Sequence, residues 1–186
     1  GPRAVLDADQ PLAGFADEDL RIGLVEGDVV LEEGDVVVGP GDGAVHVDAD
    51  EEASRVGALV AAVARGLGAR VSIDTTKAAV ARVAIDAGAL IVNDVSCAAS
   101  DELLRVVAER GVEYVVMHSR GSGAIEVPNI NYRDVVIEVG AELTAAVERA
   151  ARCGISRDRL WLDPGLGFAK TAAQSMSLLA QTETLV

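Results

Sequence analysis

Cysteine is scarce in this chain: only Cys97 and Cys153 occur in 186 residues. Their positions give no metal-ligand spacing and no disulfide framework, so a reducing, cytoplasmic setting is expected. Positive charge is also scarce, with 16 Lys and Arg against 30 Asp and Glu and a formal charge of −14. Nucleic-acid binding requires clustered cations to neutralise phosphates, so this balance argues against such a partner. Aromatic residues make up only 3%. No apolar run approaches the roughly 20 residues needed to cross a bilayer, and no signal-peptide pattern is found. The opening Gly1-Pro2 has the form of a protease-cleavage scar. What remains is half hydrophobic and contains 19 glycines. That composition excludes disorder and suits one domain with a sizeable core. The length is short for an eight-stranded α/β barrel, which typically needs about 250 residues.

From residue 48 onward, helical and strand-like patterns alternate. Asp50, Glu51 and Glu52 suit a helix start, and Ala53, Val56, Leu59, Val60 and Val63 continue it to Gly66. The run Val71 to Asp74 predicts a buried strand. Thr75 or Thr76 then caps a helix that Gly88 stops. A strand is expected at Leu90–Val92, and a helix from the Ser100 cap to Gly111. Another strand is expected at Val115–Met117. After a Gly-rich loop, a long helix runs from about Tyr132 to Arg152 and stops at Gly154. Leu160 to Leu162 reads as one more strand, and a last helix runs from Ala172 almost to the end. Apolar strands alternating with helices indicate a parallel sheet covered on both faces. In the first 47 residues, Ala4–Leu6 and Val36–Val38 read as strands, and Leu20 to Leu31 resists assignment.

Four successive strands end in polar side chains: Asp74, Asn93 with Asp94, His118, and Asp163. Parallel α/β folds bind ligands at the carboxyl ends of their strands. Converging Asp and Asn groups there suit a small heterocycle rich in N–H donors. Taken singly, each such residue equally well caps a helix or shapes a turn. The stretch Asp163-Pro164-Gly165-Leu166-Gly167-Phe168-Ala169-Lys170-Thr171 is the most specific. Its glycines permit a tight backbone near a ligand, Phe168 supplies an aromatic face and Lys170 a cation.

That stretch resembles the D-P-G-x-G-F-x-K-T signature of the dihydropteroate synthase family. Ser72-Ile73-Asp74-Thr75 and the segment from Ala87-Gly88-Ala89 to Asn93-Asp94-Val95 resemble two further motifs of the family, in the right order. Met117-His118 with Arg120 resembles a fourth. The similarity covers 48–186 of a single pterin-binding domain, with 1–47 divergent. The resemblance implies a (β/α)8 TIM barrel, here counting about six βα units. It also implies condensation of 6-hydroxymethyl-7,8-dihydropterin pyrophosphate with p-aminobenzoate. Asp74, Asn93 and Asp163 would hold the pterin ring, with Met117 packed on its face. Phe168 and Lys170 would lie near the aminobenzoate side.

The sequence departs from the family at its phosphate end. The Asn-x-Thr-Pro-Asp-Ser-Phe loop expected to hold Mg²⁺ is not found, and Val5-Leu6-Asp7-Ala8-Asp9-Gln10-Pro11 stands in its place. The second loop survives only as Val37-Val38-Gly39-Pro40-Gly41-Asp42-Gly43. The family's Ser-Arg-Lys segment and its further Arg are not found either. An inactive pterin-binding or structural paralogue, or a truncated form, is therefore the alternative to a working synthase. The pterin domain of a corrinoid-dependent methyltransferase is a third reading, disfavoured by the Asp163–Thr171 loop. No G-x-G-x-x-G follows a strand, which weakens a Rossmann-type binder. Unpaired strand edges would invite a partner, so a homodimer is an expectation.

Overall fold

The computed structural model describes residues 22–25, 28–31, 35–38, 49–67, 69–120 and 131–185. The chain divides into two compact units, Gly1–Val92 and Asn93–Val186.

In the first unit, Ile22–Val25 (β1) and Asp28–Leu31 (β2) form an antiparallel hairpin in the stretch that resisted assignment. Short β-branched runs flanking Glu26-Gly27 are a hairpin pattern obscured in sequence by the surrounding acids. The predicted Val36–Val38 strand is present as Asp35–Val38 (β3), parallel to β1. The expected Ala4–Leu6 strand lies outside the described residues. After the helix Ala49–Leu67 (α1), the strand Arg70–Asp74 (β4) pairs parallel with β3, with Val36 opposite Val71 and Val38 opposite Ile73. Val71 and Ile73 are fully buried, as their unbroken apolar run predicts.

The helix Ala78–Ala87 (α2) buries Ala78, Val80, Ala81 and Ala84. Its small residues allow a close approach to α1: a Cβ added at Gly57 would lie 2.8 Å from Val83 Cγ1. Neither threonine caps α2. Its N-cap is Lys77, whose backbone N–H donates to Thr75 Oγ1 at 3.1 Å, so Thr75 shapes the preceding turn instead.

The division between the units falls within the strand Ile91–Asp94 (β5), which reaches two residues further than expected and takes in Asn93 and Asp94. In the second unit, Ser100 caps the helix Asp101–Arg110 (α3), accepting from the Leu103 N–H at 3.2 Å. The strand Glu113–Met117 (β6) follows. The helix Val135–Arg152 (α4) starts three residues later than the sequence suggests. Asp134 Oδ1 accepts from the Val136 and Ile137 N–H groups and holds Asp134 outside the helix. Strand Leu160–Asp163 (β7) pairs parallel with β6. The last helix, Ala172–Ala180 (α5), is shorter than expected and gives way to a 3₁₀ turn at Thr182–Thr184. There Thr182 Oγ1 donates back to the Leu178 and Leu179 carbonyls, which competes with further helical bonding. Leu103, Leu104 and Val107 of α3 and Val139 and Leu143 of α4 are almost wholly buried. Each such side chain contributes about 1.5–3 kcal/mol. Their packing fixes the strands whose carboxyl ends form the site.

Candidate functional site at the strand ends

Strand alternation decides which side chains can meet. Tyr114 OH, on β6, donates to the buried Asp94 carboxylate on β5, so these two residues share a face with Val116 and His118. Asn93 and Met117, each one residue out of phase, therefore share the opposite face. Met117 is in register with Asp163 on β7, and Trp161 Nε1 donates to Glu113 Oε2 at 2.7 Å on that same side. Asn93, Met117 and Asp163 thus stand together on one face at the carboxyl ends of β5, β6 and β7. Asp74 ends β4 in the first unit and is half-buried. The Asn93 side-chain oxygen is buried with no hydrogen-bond partner in the protein. Leaving a buried acceptor unpaired costs about 1–3 kcal/mol, so this oxygen has an acceptor to offer to a ligand or a water.

Asp163 opens the loop to α5, and its Oδ1 accepts from the Gly165 N–H at 2.7 Å. The loop doubles back sharply, with positive φ at Gly165 (+64°), Gly167 (+86°) and Ala169 (+52°). A Cβ at Gly165 would run into the His118 carbonyl, so this position requires glycine on both conformational and steric grounds. The predicted loop cation, Lys170, is buried and turned into the protein. Its Nζ lies 3.0 Å from His118 Nδ1, 2.9 Å from the Gly165 carbonyl, 3.0 Å from that of Phe168 and 3.2 Å from that of His118. Phe168 is half-buried beside it, its N–H donating to the Gly165 carbonyl.

His118 is fully buried on the helix-facing side of β6, away from the face that carries Met117. Its Nε2 lies 2.8 Å from Glu142 Oε2 on α4. Because Lys170 donates to Nδ1, His118 is the Nε2–H tautomer and donates to Glu142. Arg120 bonds both Glu142 and Glu138 and stacks 4.1 Å above the Tyr132 ring. Burial, then the Lys170 charge, holds the His118 pKa below its ordinary value. Burial pushes Glu142 upward, but the bonds from Arg120 and His118 outweigh it and hold the carboxyl low. Burial brings Lys170 down to about 8 against the opposing pull of Asp163, Cys97 and Glu142. Burial and the neighbouring Asp94 raise Tyr114 far above the normal range, so its hydroxyl stays a donor.

Glu142 and the Tyr114–Asp94 pair carry structural weight that the motifs did not reveal. One signal for Glu142 was available: it interrupts the buried α4 stripe of Val139, Leu143 and Ala146. Among the described residues, no three His, Cys, Asp or Glu converge to hold a metal. The segment that stands in place of the expected Mg²⁺ loop lies outside the described residues.

Parallel βα units with polar groups at the strand carboxyl ends define a parallel α/β protein, and likeness to the solved structures below puts it in the (β/α)8 TIM-barrel class. The described residues supply five of these units, after the hairpin. Residues 24–186 match the family described as pterin binding enzyme. The chain is 47% identical over 148 residues to the dihydropteroate synthase of Mycobacterium leprae, covering 77% of this chain and 51% of that protein. The crystal structure of the Burkholderia cenocepacia synthase complexed with 7,8-dihydropteroate superposes with a TM-score of 0.74 at 32% identity, covering 82% of this chain and 56% of that one. The Xanthomonas albilineans synthase with 4-aminobenzoic acid gives a TM-score of 0.72 at 33% identity, covering 82% and 55%. The chain therefore belongs to the pterin-binding enzyme family, and its sequence and fold are similar to those of dihydropteroate synthases. It spans about half the length of these relatives. No helix among the described residues is long and apolar enough to cross a membrane.

Proposed function

We propose that this chain carries the pterin site of a cytoplasmic dihydropteroate synthase. The reaction joins the methylene carbon of 6-hydroxymethyl-7,8-dihydropterin pyrophosphate to the amine of p-aminobenzoate. The C–O bond to pyrophosphate breaks, the C–N bond forms, and the amine loses a proton. The observation that supports this most directly is the buried, unpartnered Asn93 oxygen on the same strand-end face as Asp163 and Met117. Asp163 would accept from the amino and N–H edge of the pterin, Asn93 would accept and donate beside it, and Met117 would cover the ring. Phe168, in the loop that Asp163 opens, would face the aminobenzoate. Little acid–base work falls to these residues. They hold the methylene carbon in line for attack while the pterin itself spreads the developing positive charge.

One observation favours a second reading, a pterin binder without turnover. Among the described residues, Arg120 and Lys170 are bonded to Glu138, Glu142, His118 and backbone carbonyls rather than left to face a diphosphate. Calorimetry on the chain with 6-hydroxymethyl-7,8-dihydropterin and with its pyrophosphate separates the two readings. Tighter binding of the pyrophosphate, with pteroate formed when p-aminobenzoate is added, is expected of the synthase. Equal affinity without turnover supports the binder, and no pterin binding at all overturns both.

A further inference from the structure

Lys170 and His118 hold buried titratable side chains that the proposed chemistry leaves unused. Their arrangement is a continuous hydrogen-bonded chain. The Glu142 carboxylate accepts from His118 Nε2–H at 2.8 Å, and His118 Nδ1 accepts from Lys170 Nζ at 3.0 Å. The ammonium then reaches the Gly165 and Phe168 carbonyls. Every link crosses between elements: α4 to the end of β6, and β6 to the loop after β7. The far end grips that loop at the first and last turns of its positive-φ run. Asp163 is tied into the same loop through its bond from the Gly165 N–H.

We propose that Lys170 is a positioning residue: through the Glu142–His118–Lys170 chain it fixes the 163–170 loop, and with it the Asp163 carboxylate and Phe168, in the geometry that receives the pterin. This rests on the function proposed above and assigns Lys170 a role without substrate contact. An ammonium has three protons to give, and four protein acceptors lie within 3.2 Å of Nζ. No donor capacity is left over for a ligand. The loop needs such a clamp, since Ala169 holds a left-handed conformation that costs a non-glycine residue about 1–2 kcal/mol. Charged or titratable groups facing Lys170 are Asp163 from β7, Cys97 from the loop after β5, Glu142 from α4, and His118 and Arg120 from the end of β6. His118 Nδ1 and the three backbone carbonyls fix its orientation, and Arg120 is drawn off by its own carboxylates.

The test is Lys170→Met, which keeps an unbranched side chain of similar length and removes the donor. Three quantities are read on the whole chain. Amide hydrogen exchange at Gly165 and Phe168 is expected to accelerate about tenfold or more, while exchange at Leu103 and Leu143 stays unchanged. Affinity for 6-hydroxymethyl-7,8-dihydropterin is expected to fall about tenfold. The His118 pKa, followed by ¹⁵N NMR, is expected to rise, because the Lys170 charge that depresses it is gone while Glu142 remains. A side chain that merely filled space would not move that titration. Unchanged exchange and unchanged pterin affinity in Lys170→Met overturn the proposal. If the unsubstituted chain binds no pterin, the function above fails, and the clamp stands or falls on the exchange and titration results alone. Should Lys170→Met not fold, the tautomer in the unsubstituted chain decides: a neutral His118 protonated at Nε2 supports the chain of bonds, and one protonated at Nδ1 refutes it.

Discussion

Tyr114→Phe removes a single oxygen and tests the reasoning that places Asn93 in the site. The Tyr114 hydroxyl and the Asp94 carboxylate are both fully buried, and Asp94 Oδ1 accepts from the Ser96 N–H at 2.8 Å. Tyr114 is therefore the donor that serves the other carboxylate oxygen. Deleting it leaves that oxygen of a buried carboxylate without its donor. Hydrogen bonds to charged groups contribute roughly 1.5–3 kcal/mol, and the lost oxygen leaves only a small void. A destabilisation of about 2 kcal/mol is expected, read by urea unfolding from the midpoint at constant slope. A double-mutant cycle with Asp94→Asn isolates the pair, since the two single losses should sum to more than the double loss by about 1 kcal/mol or more. Pterin affinity should fall only modestly, because Asn93 lies on the opposite face and is touched only through the strand. A Tyr114→Phe cost below about 0.5 kcal/mol would refute the buried bond. The phase argument that sets Asn93 beside Met117 and Asp163 would fall with it.

Three further outcomes follow from the same geometry. Asp163→Asn keeps the Gly165 N–H bond but removes the charge offered to the pterin edge, and calorimetry should show binding weakened by roughly 1.5–3 kcal/mol. Gly165→Ala must place a Cβ against the His118 carbonyl at φ +64°, so thermal unfolding should show a loss above about 2 kcal/mol and pterin binding should fail. Stability should depend on pH at both ends. His118 is held below its ordinary 6.5, so as pH falls through 6.5 the unfolded chain takes up a proton that the folded chain refuses, and stability drops. Glu142, also held low, adds to the acid loss as pH falls through its folded pKa. Lys170 acts at the alkaline end: with a folded value of about 8 against 10.5, stability should rise with pH between them, by roughly 3 kcal/mol. Chemical denaturation from about pH 2 to 11 reads all of these, and Lys170→Met should abolish the alkaline rise.

The elements that sequence made legible are those whose signals are local. Val71 and Ile73 declare β4 by an apolar run, and Ser100 with Asp101 and Glu102 declares the start of α3 by capping and charge. Asn93 and Asp163 are legible as candidates because each ends a strand, and strand ends converge in parallel α/β folds, whereas Met117 enters only through the family resemblance. Lys170 shows where that logic stops. Sequence identifies a cation in a glycine-rich loop but not the direction of its ammonium, which depends on His118 and Glu142, 52 and 28 positions away. Distant acceptors out-competed open solvent because the loop curls back, and it curls back because Gly165 tolerates a turn pressed onto the His118 carbonyl. The β1–β2 hairpin was missed for the opposite reason: its pattern is local, but acidic residues on both sides dilute the alternation that marks a strand. A group's chemical type is thus written in sequence, while its use is set by partners that only folding brings near. In this loop the same lysine that looked like a ligand contact has every proton engaged by the protein, which is why its removal should be felt first in the motion of Gly165 and Phe168 and only through them at the pterin.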